Sequence, residues 1–239
     1  MNLFFLPEPG VYELDEEESR HCTKVLRLTT GAVIDVTDGA GLHQRCRINV
    51  GQRKVTLEVV DSVHIPKRPF SITIAVAPTR KAERNEWMVE KMTELGVERI
   101  EFVVTDHTSR EGLSRVVNLT RLNKIAVAAM KQSQQFYKPK ITLNSNFTEF
   151  VTGIVADRKL IAYVPDNQLY DHVFQKVRKD QSTVLLIGPE GDFSPSEVQV
   201  AVEKGFETVS LGANRLRTET AAVAGCDAIN LAQLLKTVG

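Results

Sequence analysis

From Ser71 onward the chain alternates between short apolar runs and amphipathic stretches, and this alternation restricts its possible folds more than any other feature. The runs are "SITIAVA", "RIEFVVT", "LIAYV", "STVLLIG" and "TVSLG". Between them stand helical patterns such as "RNEWMVEKMTELG", "LTRLNKIAVAAMKQSQQ" and "SEVQVAVEKG". Strands that are apolar along their whole length are buried on both faces, so the pattern predicts a mostly parallel sheet with helices covering both sides. Ligands of such sheets bind beyond the carboxyl ends of the strands.

The first 68 residues follow another rule. "NLFFL", "AVIDVTDGAGLHQRCRINV" and "KVTLEVVDSVH" read as short alternating strands, and Asp38-Gly39 supplies the turn chemistry of a hairpin. In "DEEESRHCTKVLRL" acids lead and bases follow, as a helix dipole prefers. A small β-barrel with one helix is expected over residues 1–68. "HIPKRP" serves as the linker, and an α/β domain is expected over 69–239.

Several classes fall away on composition. No apolar run approaches the roughly 20 residues that span a bilayer, and the opening "MNLFFLPEPG" lacks the basic start and cleavage site of a secretion signal, so a cytoplasmic address without a membrane anchor is expected. Three cysteines and five histidines are scattered without metal-ligand spacing, so no metal is expected. The 30 basic and 30 acidic side chains cancel, but residues 77–140 hold 12 Lys and Arg against 8 Asp and Glu. That local surplus suits a phosphate-facing surface and equally suits a solvated helix face.

Two strand-to-helix loops near the end of the chain are the best candidates for a ligand site. In "IGPEGDFSPSEV", Gly188 and Gly191 permit close backbone approach and Pro189 stiffens the turn. Ser194, Pro195 and Glu197 form an N-cap, a first helical residue and a capping box. In "LGANRLRTETAA", the chain leaves a strand through Gly212 and enters a helix at Thr218–Thr220, with Glu219 in the first turn. Neither G-x-G-x-x-G nor G-x-x-x-x-G-K-[ST] accompanies these strands, which disfavours a dinucleotide or a nucleoside triphosphate bound in the usual manner.

Together these loops resemble those of the RsmE-type family, small-subunit (16S) ribosomal RNA uridine N3-methyltransferases of the knotted SPOUT superfamily. "HCTKVLR", "KAER…KMTELGV" and "KQSQQFYKPKI" extend the resemblance in the same order over nearly the whole chain. Departures occur at Asp192, where the family usually has glycine, at Asn214-Arg215, and at Lys131 and Gln135. The resemblance implies a PUA-like RNA-binding domain followed by an α/β domain with a deep trefoil knot, and a homodimer. Its loops would hold S-adenosylmethionine through Tyr163, Val164, Pro165, Ile187, Gly188, Pro189, Glu190, Gly191, Leu211, Gly212, Leu216, Thr218 and Thr220. The partner would be 16S rRNA or the assembled small subunit, contacted by His21, Arg27, Lys81, Arg84, Lys131 and Gln132.

Methylation at N3 requires loss of the uridine N3 proton, so a base or an anion-stabilising cation is needed. Arg217 suits the second role. Glu219 either orients that arginine or accepts the proton, and a helix-dipole role fits it equally well. Two other classes stay open on the residues alone: a non-catalytic RNA-binding module, and a phosphate- or nucleotide-binding α/β enzyme using the same helix N-termini.

Overall fold

A computed structural model describes residues 2–8, 10–52, 54–163 and 170–235. The chain divides into two compact units, one of Met1–Lys67 with Val127–Lys138, the other of Arg68–Ala126 with Pro139–Gly239.

The first unit is built on four strands, β1 (Leu3–Phe5), β2 (Val33–Thr37), β3 (Leu42–Val50) and β4 (Val55–His64), in the order β1-β2-β3-β4. Where a barrel was expected, the described residues form this sheet, with β1 parallel to β2 and the other neighbours antiparallel. The expected hairpin turn joins β2 to β3: the Asp38 carboxylate accepts from the amides of Ala40 at 2.7 Å and Leu42 at 3.1 Å, and Gly39 has φ 72°. Helix α1 (Glu16–Arg20) is capped by Asp15 and runs on as a π-helical turn over His21–Val25. Phe4, Leu14, Cys22, Ile34, Cys46 and Ile48 fill the core. Residues 127–138 join this unit through backbone bonds from Gly41 to Phe136 and from Lys138 to Gly39. The Tyr137 hydroxyl also donates to the Ile65 carbonyl at 2.6 Å.

The second unit holds β5 (Ile72–Val76), β6 (Arg99–Val103), β7 (Lys140–Asn144), β8 (Arg158–Ala162), β9 (Thr183–Ile187) and β10 (Glu207–Val209), all parallel, in the order β10-β8-β9-β5-β6-β7. Every residue of β5 and β9 is buried, as continuous apolar runs require. Alternate residues of β9 feed separate cores. Leu185 and Ile187 join Met88, Ile229 and Ala232, whereas Val184 and Leu186 join Phe147, Phe150 and Phe206. Helices therefore cover both faces. α2 (Ala82–Glu94) and α8 (Thr218–Leu235) supply the first core, and α5 (Phe147–Gly153) and α7 (Pro195–Glu203) flank the second. The short α3 (Leu113–Val116), α4 (Leu119–Gln132) and α6 (Val173–Lys176) complete the chain. The absence of side-chain volume at Gly225 lets α8 approach β9, because a Cβ there would collide with Leu185. All three cysteines are free and buried, and burial pushes the Cys226 thiol up to about 12, which keeps it protonated and unreactive.

Candidate functional site

Parallel pairing brings the ends of three strands together. β8 pairs with both β9 and β10, and the Tyr163 amide, just past β8, donates to the Val209 carbonyl of β10 at 3.3 Å. Ile187 ends β9, 2% exposed, and the first candidate loop follows it.

That loop is braced from several sides. Ser194 caps α7 as expected: its hydroxyl accepts from the Glu197 amide at 3.3 Å, Glu197 accepts from the Ser194 amide at 2.9 Å, and Pro195 opens the helix. The other carboxylate oxygen of Glu197 accepts from the Asp106 amide at 2.9 Å, and the Ser194 hydroxyl donates to the Asp106 carboxylate at 2.6 Å. His107 donates from Nδ1 to the Asp192 carbonyl at 2.9 Å. Asp192 itself takes φ 63°, a left-handed backbone usually given to glycine, and its side chain accepts from the Phe193 amide at 2.8 Å. Burial pushes the Asp192 carboxyl above its ordinary range, with Arg215 and His107 pulling weakly the other way. A Cβ on Gly188 would lie 3.2 Å from both the Asp192 carboxylate and the Phe193 ring, so any larger residue there would press on both.

The second loop is pinned at its ends. Leu211 and Leu216 rest partly buried against the core, while residues 212–215 and Arg217 are exposed. Gly212 has φ 133°, and a Cβ there would meet nothing within 4 Å, so this glycine is required by backbone conformation and not by crowding. Thr218, 4% exposed, starts α8, and its hydroxyl donates to the Gly188 carbonyl at 3.1 Å. This hydrogen bond joins the two loops, and Thr220 lies exposed two residues further on.

Arg217 stands exposed with no side-chain hydrogen bond or ion pair to any described residue. The arginine that Glu219 holds is instead Arg84, on the first turn of α2: Nε lies 3.4 Å from one Glu219 oxygen, and Nη1 lies 3.2 Å from Glu190 in the first loop. The other Glu219 oxygen, Oε2, is buried without a hydrogen-bond partner. An unpartnered buried carboxylate oxygen costs stability, and a bound polar group would satisfy it. The link from Arg84 to Glu190 and Glu219 was missed by the sequence, because the three residues stand on different elements at wide separation.

Of the other expected residues, Gly188, Pro189, Glu190, Gly191, Leu211, Gly212, Leu216 and Thr218 converge here, while Val164 and Pro165 lie outside the described residues. His21 and Arg27 are exposed on the first unit, Arg27 with φ 53°. Lys131 and Gln132 belong to that unit too, and Lys131 is ion-paired to Glu18. Lys81 is exposed at the start of α2, whereas Arg84 is drawn inward to the two glutamates. Among the described residues, no group of His, Cys, Asp or Glu could hold a metal ion, and no helix is long and apolar enough to cross a membrane.

This fold defines an α/β protein with two joined loops at the carboxyl ends of its parallel strands. Family comparison places residues 66–230 in the RNA methyltransferase domain and residues 14–60 in the RNA methyltransferase PUA domain. The chain belongs to this RNA methyltransferase family, and its first unit carries the PUA-like domain. A probable rRNA-methyltransferase from Porphyromonas gingivalis superposes with a TM-score of 0.92 at 36% identity, over 99% of this chain and 100% of that one. The ribosomal RNA small subunit methyltransferase E of Neisseria gonorrhoeae, bound to S-adenosyl methionine, superposes with a TM-score of 0.83 at 27% identity, over 97% of both chains. The protein of the same name from Synechocystis is 28% identical over 222 residues, covering 91% of this chain and 72% of the relative.

Proposed function

We propose that this protein methylates N3 of a specific uridine in 16S ribosomal RNA, using S-adenosylmethionine. The observation that carries the reading is the joined pair of loops at the strand ends, in a chain whose fold matches a relative bound to the same donor. The site fits that donor: Gly188 lets the first loop fold tightly over Asp192 and Phe193, Gly212 supplies a left-handed turn, and Glu219 holds an unpartnered oxygen. Tyr163, Ile187–Gly191, Leu211, Gly212, Leu216, Thr218 and Thr220 would hold the donor. When bound, it supplies an electrophilic methyl group on a sulfonium sulfur.

The chain's own residues then have separable tasks. N3 lies on the pairing edge of uracil, so the base must stand unpaired or flipped out before it can enter. Arg217, exposed and without a partner, stabilises the negative charge that develops on the uracil oxygens as the N3 proton leaves. Glu219, with one oxygen on Arg84 and one unpartnered, is the proton acceptor in this reading. Arg84 serves as the brace that fixes it, in place of the RNA contact expected of that residue. His21, Arg27, Lys81, Lys131 and Gln132 remain the proposed RNA contacts.

The domains are taken as 1–68 for RNA binding and 69–239 for methyl transfer. The trefoil knot of the SPOUT superfamily is proposed for the latter. In its support, α8 leaves β10 at the sheet edge and returns to pack on the central strands β5 and β9. A homodimer is also proposed. The small residues Ala221, Ala222, Gly225 and Cys226 are buried within the subunit, so the contact is assigned to the exposed Leu231, Leu234 and Leu235 further along α8. The cytoplasm, where ribosomes are assembled, is the proposed location.

Labelled methyl transfer to naked 16S rRNA and to isolated small subunits, followed by mapping of modified uridines, tests the function. A single N3-methyluridine is expected. Transfer to another atom or to neither substrate would overturn the reading.

A further inference from the structure

A polar cavity stands at the end of the next strand of the sheet, beside the first loop. β5 pairs with β9, and the Ala77 amide donates to the Ile187 carbonyl at 2.9 Å, so the segment that leaves β5 runs alongside the start of the Gly188 loop. That segment, with the stretch leading into α3, borders an open-sided cavity of about 330 Å³ lined by Pro78, Thr79, Arg80, Ser109, Glu111, Arg115 and Val116. The volume is at the small end of the range typical of ligand sites.

Its walls are fixed from below by one fully buried side chain. The Asn85 amide group, 0% exposed, donates to the Thr79 carbonyl at 3.2 Å and to the Val116 carbonyl at 2.9 Å. Its oxygen accepts from the Thr79 amide at 2.9 Å and lies 2.9 Å from the Thr79 hydroxyl. Both walls of the cavity are therefore tied to the same residue and preorganised. Gly112, at φ 67°, lets the Arg115 guanidinium lie close to the backbone, since a Cβ there would come within 3.3 Å of it.

The charges in this cavity are unspent. Arg80 and Arg115 are exposed, and their side chains make no ion pair or hydrogen bond with any described residue, unlike Arg84, Arg99, Arg121 and Arg158, which all pair with glutamates. Two permanent cations beside a serine and a threonine, in a fixed concave frame, match the geometry by which arginine holds phosphate. Glu111 at the rim opposes an anion and leaves the cavity less cationic than two arginines alone.

We propose that this cavity receives a backbone phosphate of the substrate RNA, held by Arg80 and Arg115, and so registers the target nucleotide against the neighbouring loops. This rests on the reading of the chain as an RNA methyltransferase. Phosphate contacts carry no sequence information, and their effect is to fix position and orientation.

The test compares wild type with the Arg80→Ala/Arg115→Ala double variant and with Glu111→Gln, using a 16S rRNA transcript titrated over a range of salt concentrations. The double variant should bind RNA at least about tenfold more weakly at low salt, with the log–log salt slope smaller by about one. Glu111→Gln should bind RNA up to a few-fold more tightly. Calorimetric affinity for S-adenosylmethionine should be unchanged in both, which also shows that they fold. Wild-type RNA affinity and slope in the double variant would overturn the proposal, as would weakened RNA binding in Glu111→Gln. Uridine monophosphate that binds wild type as tightly as the RNA does, and loses affinity in the double variant, would mark a free-nucleotide site and overturn the RNA assignment. Failure of the wild type to methylate RNA is a separate result and counts against the methyltransferase reading itself.

Discussion

The two loops at the strand ends are built by opposite means. Gly188–Phe193 is held along its length, by His107 on the Asp192 carbonyl, by Arg84 on Glu190 and by the capping box with Asp106 behind it. The stretch from Leu211 to Arg217 is held at its ends, by two partly buried leucines and by Thr218, with Asn214, Arg215 and Arg217 exposed between and after them. The comparison teaches a division of labour. A loop that must present its backbone in one shape is surrounded by side chains, whereas a loop that must present charge leaves its side chains free.

The largest effects should come from attacking each loop in its own terms. Gly188→Val forces a branched side chain against Asp192 and Phe193, displacing the braced loop, and should remove detectable S-adenosylmethionine binding by calorimetry. Gly212→Val has open space for its side chain but not the backbone conformation, so it should cost about 1–3 kcal/mol and weaken binding without abolishing it. Equal affinities in the two variants would erase the distinction between loops. Arg217→Ala should lower single-turnover methylation roughly a hundredfold or more while both binding constants change little, because its charge acts as the transition state forms. A rate near wild type would transfer the anion-stabilising role elsewhere.

Thr218→Val keeps the shape of the side chain and deletes the bond from Thr218 to the Gly188 carbonyl that joins the loops. About 1 kcal/mol of stability and a drop in Tm of roughly 2–4 °C are expected, with weaker donor binding. The smallest effect concerns Asp192. Its carboxyl is raised in the fold, so wild-type stability is greatest below the ordinary carboxylate pKa and falls as pH rises through the raised value. Asp192→Asn should therefore raise Tm near pH 7, by no more than about 2 °C given solvent screening at this half-buried position, and should leave it unchanged under acidic conditions. A lower Tm at pH 7 would show that the negative charge itself holds the braced loop.

Local chemistry explains what could be read from the sequence. Ser194, Pro195 and Glu197 announce the start of α7 because capping depends on residues within one turn, and Thr218 opens α8 where the sequence placed the helix start. β5 and β9 were legible as unbroken apolar runs. β7, over Lys140–Asn144, escaped notice because it is an edge strand with one fully buried residue and no apolar run to mark it. The attachment of residues 127–138 to the first unit, and the partnership of Arg84 with Glu190 and Glu219, depend on contacts made only once the chain is folded. The sequence located the loops but could not say which charges would be consumed in bracing them and which left free.

The strand order has a consequence for how the molecule comes into being. β5 and β9 form the centre of the second sheet, yet Ile72 pairs with Thr183, more than a hundred residues later. During synthesis, at about 5–20 residues per second, the first central strand waits several seconds for its neighbour, with an apolar edge unsatisfied. Pairings so distant along the chain make folding slow and expose the nascent protein to association with other chains. The same arrangement that gathers the strand ends at one site thus defers the site's existence until nearly the whole polypeptide has been made.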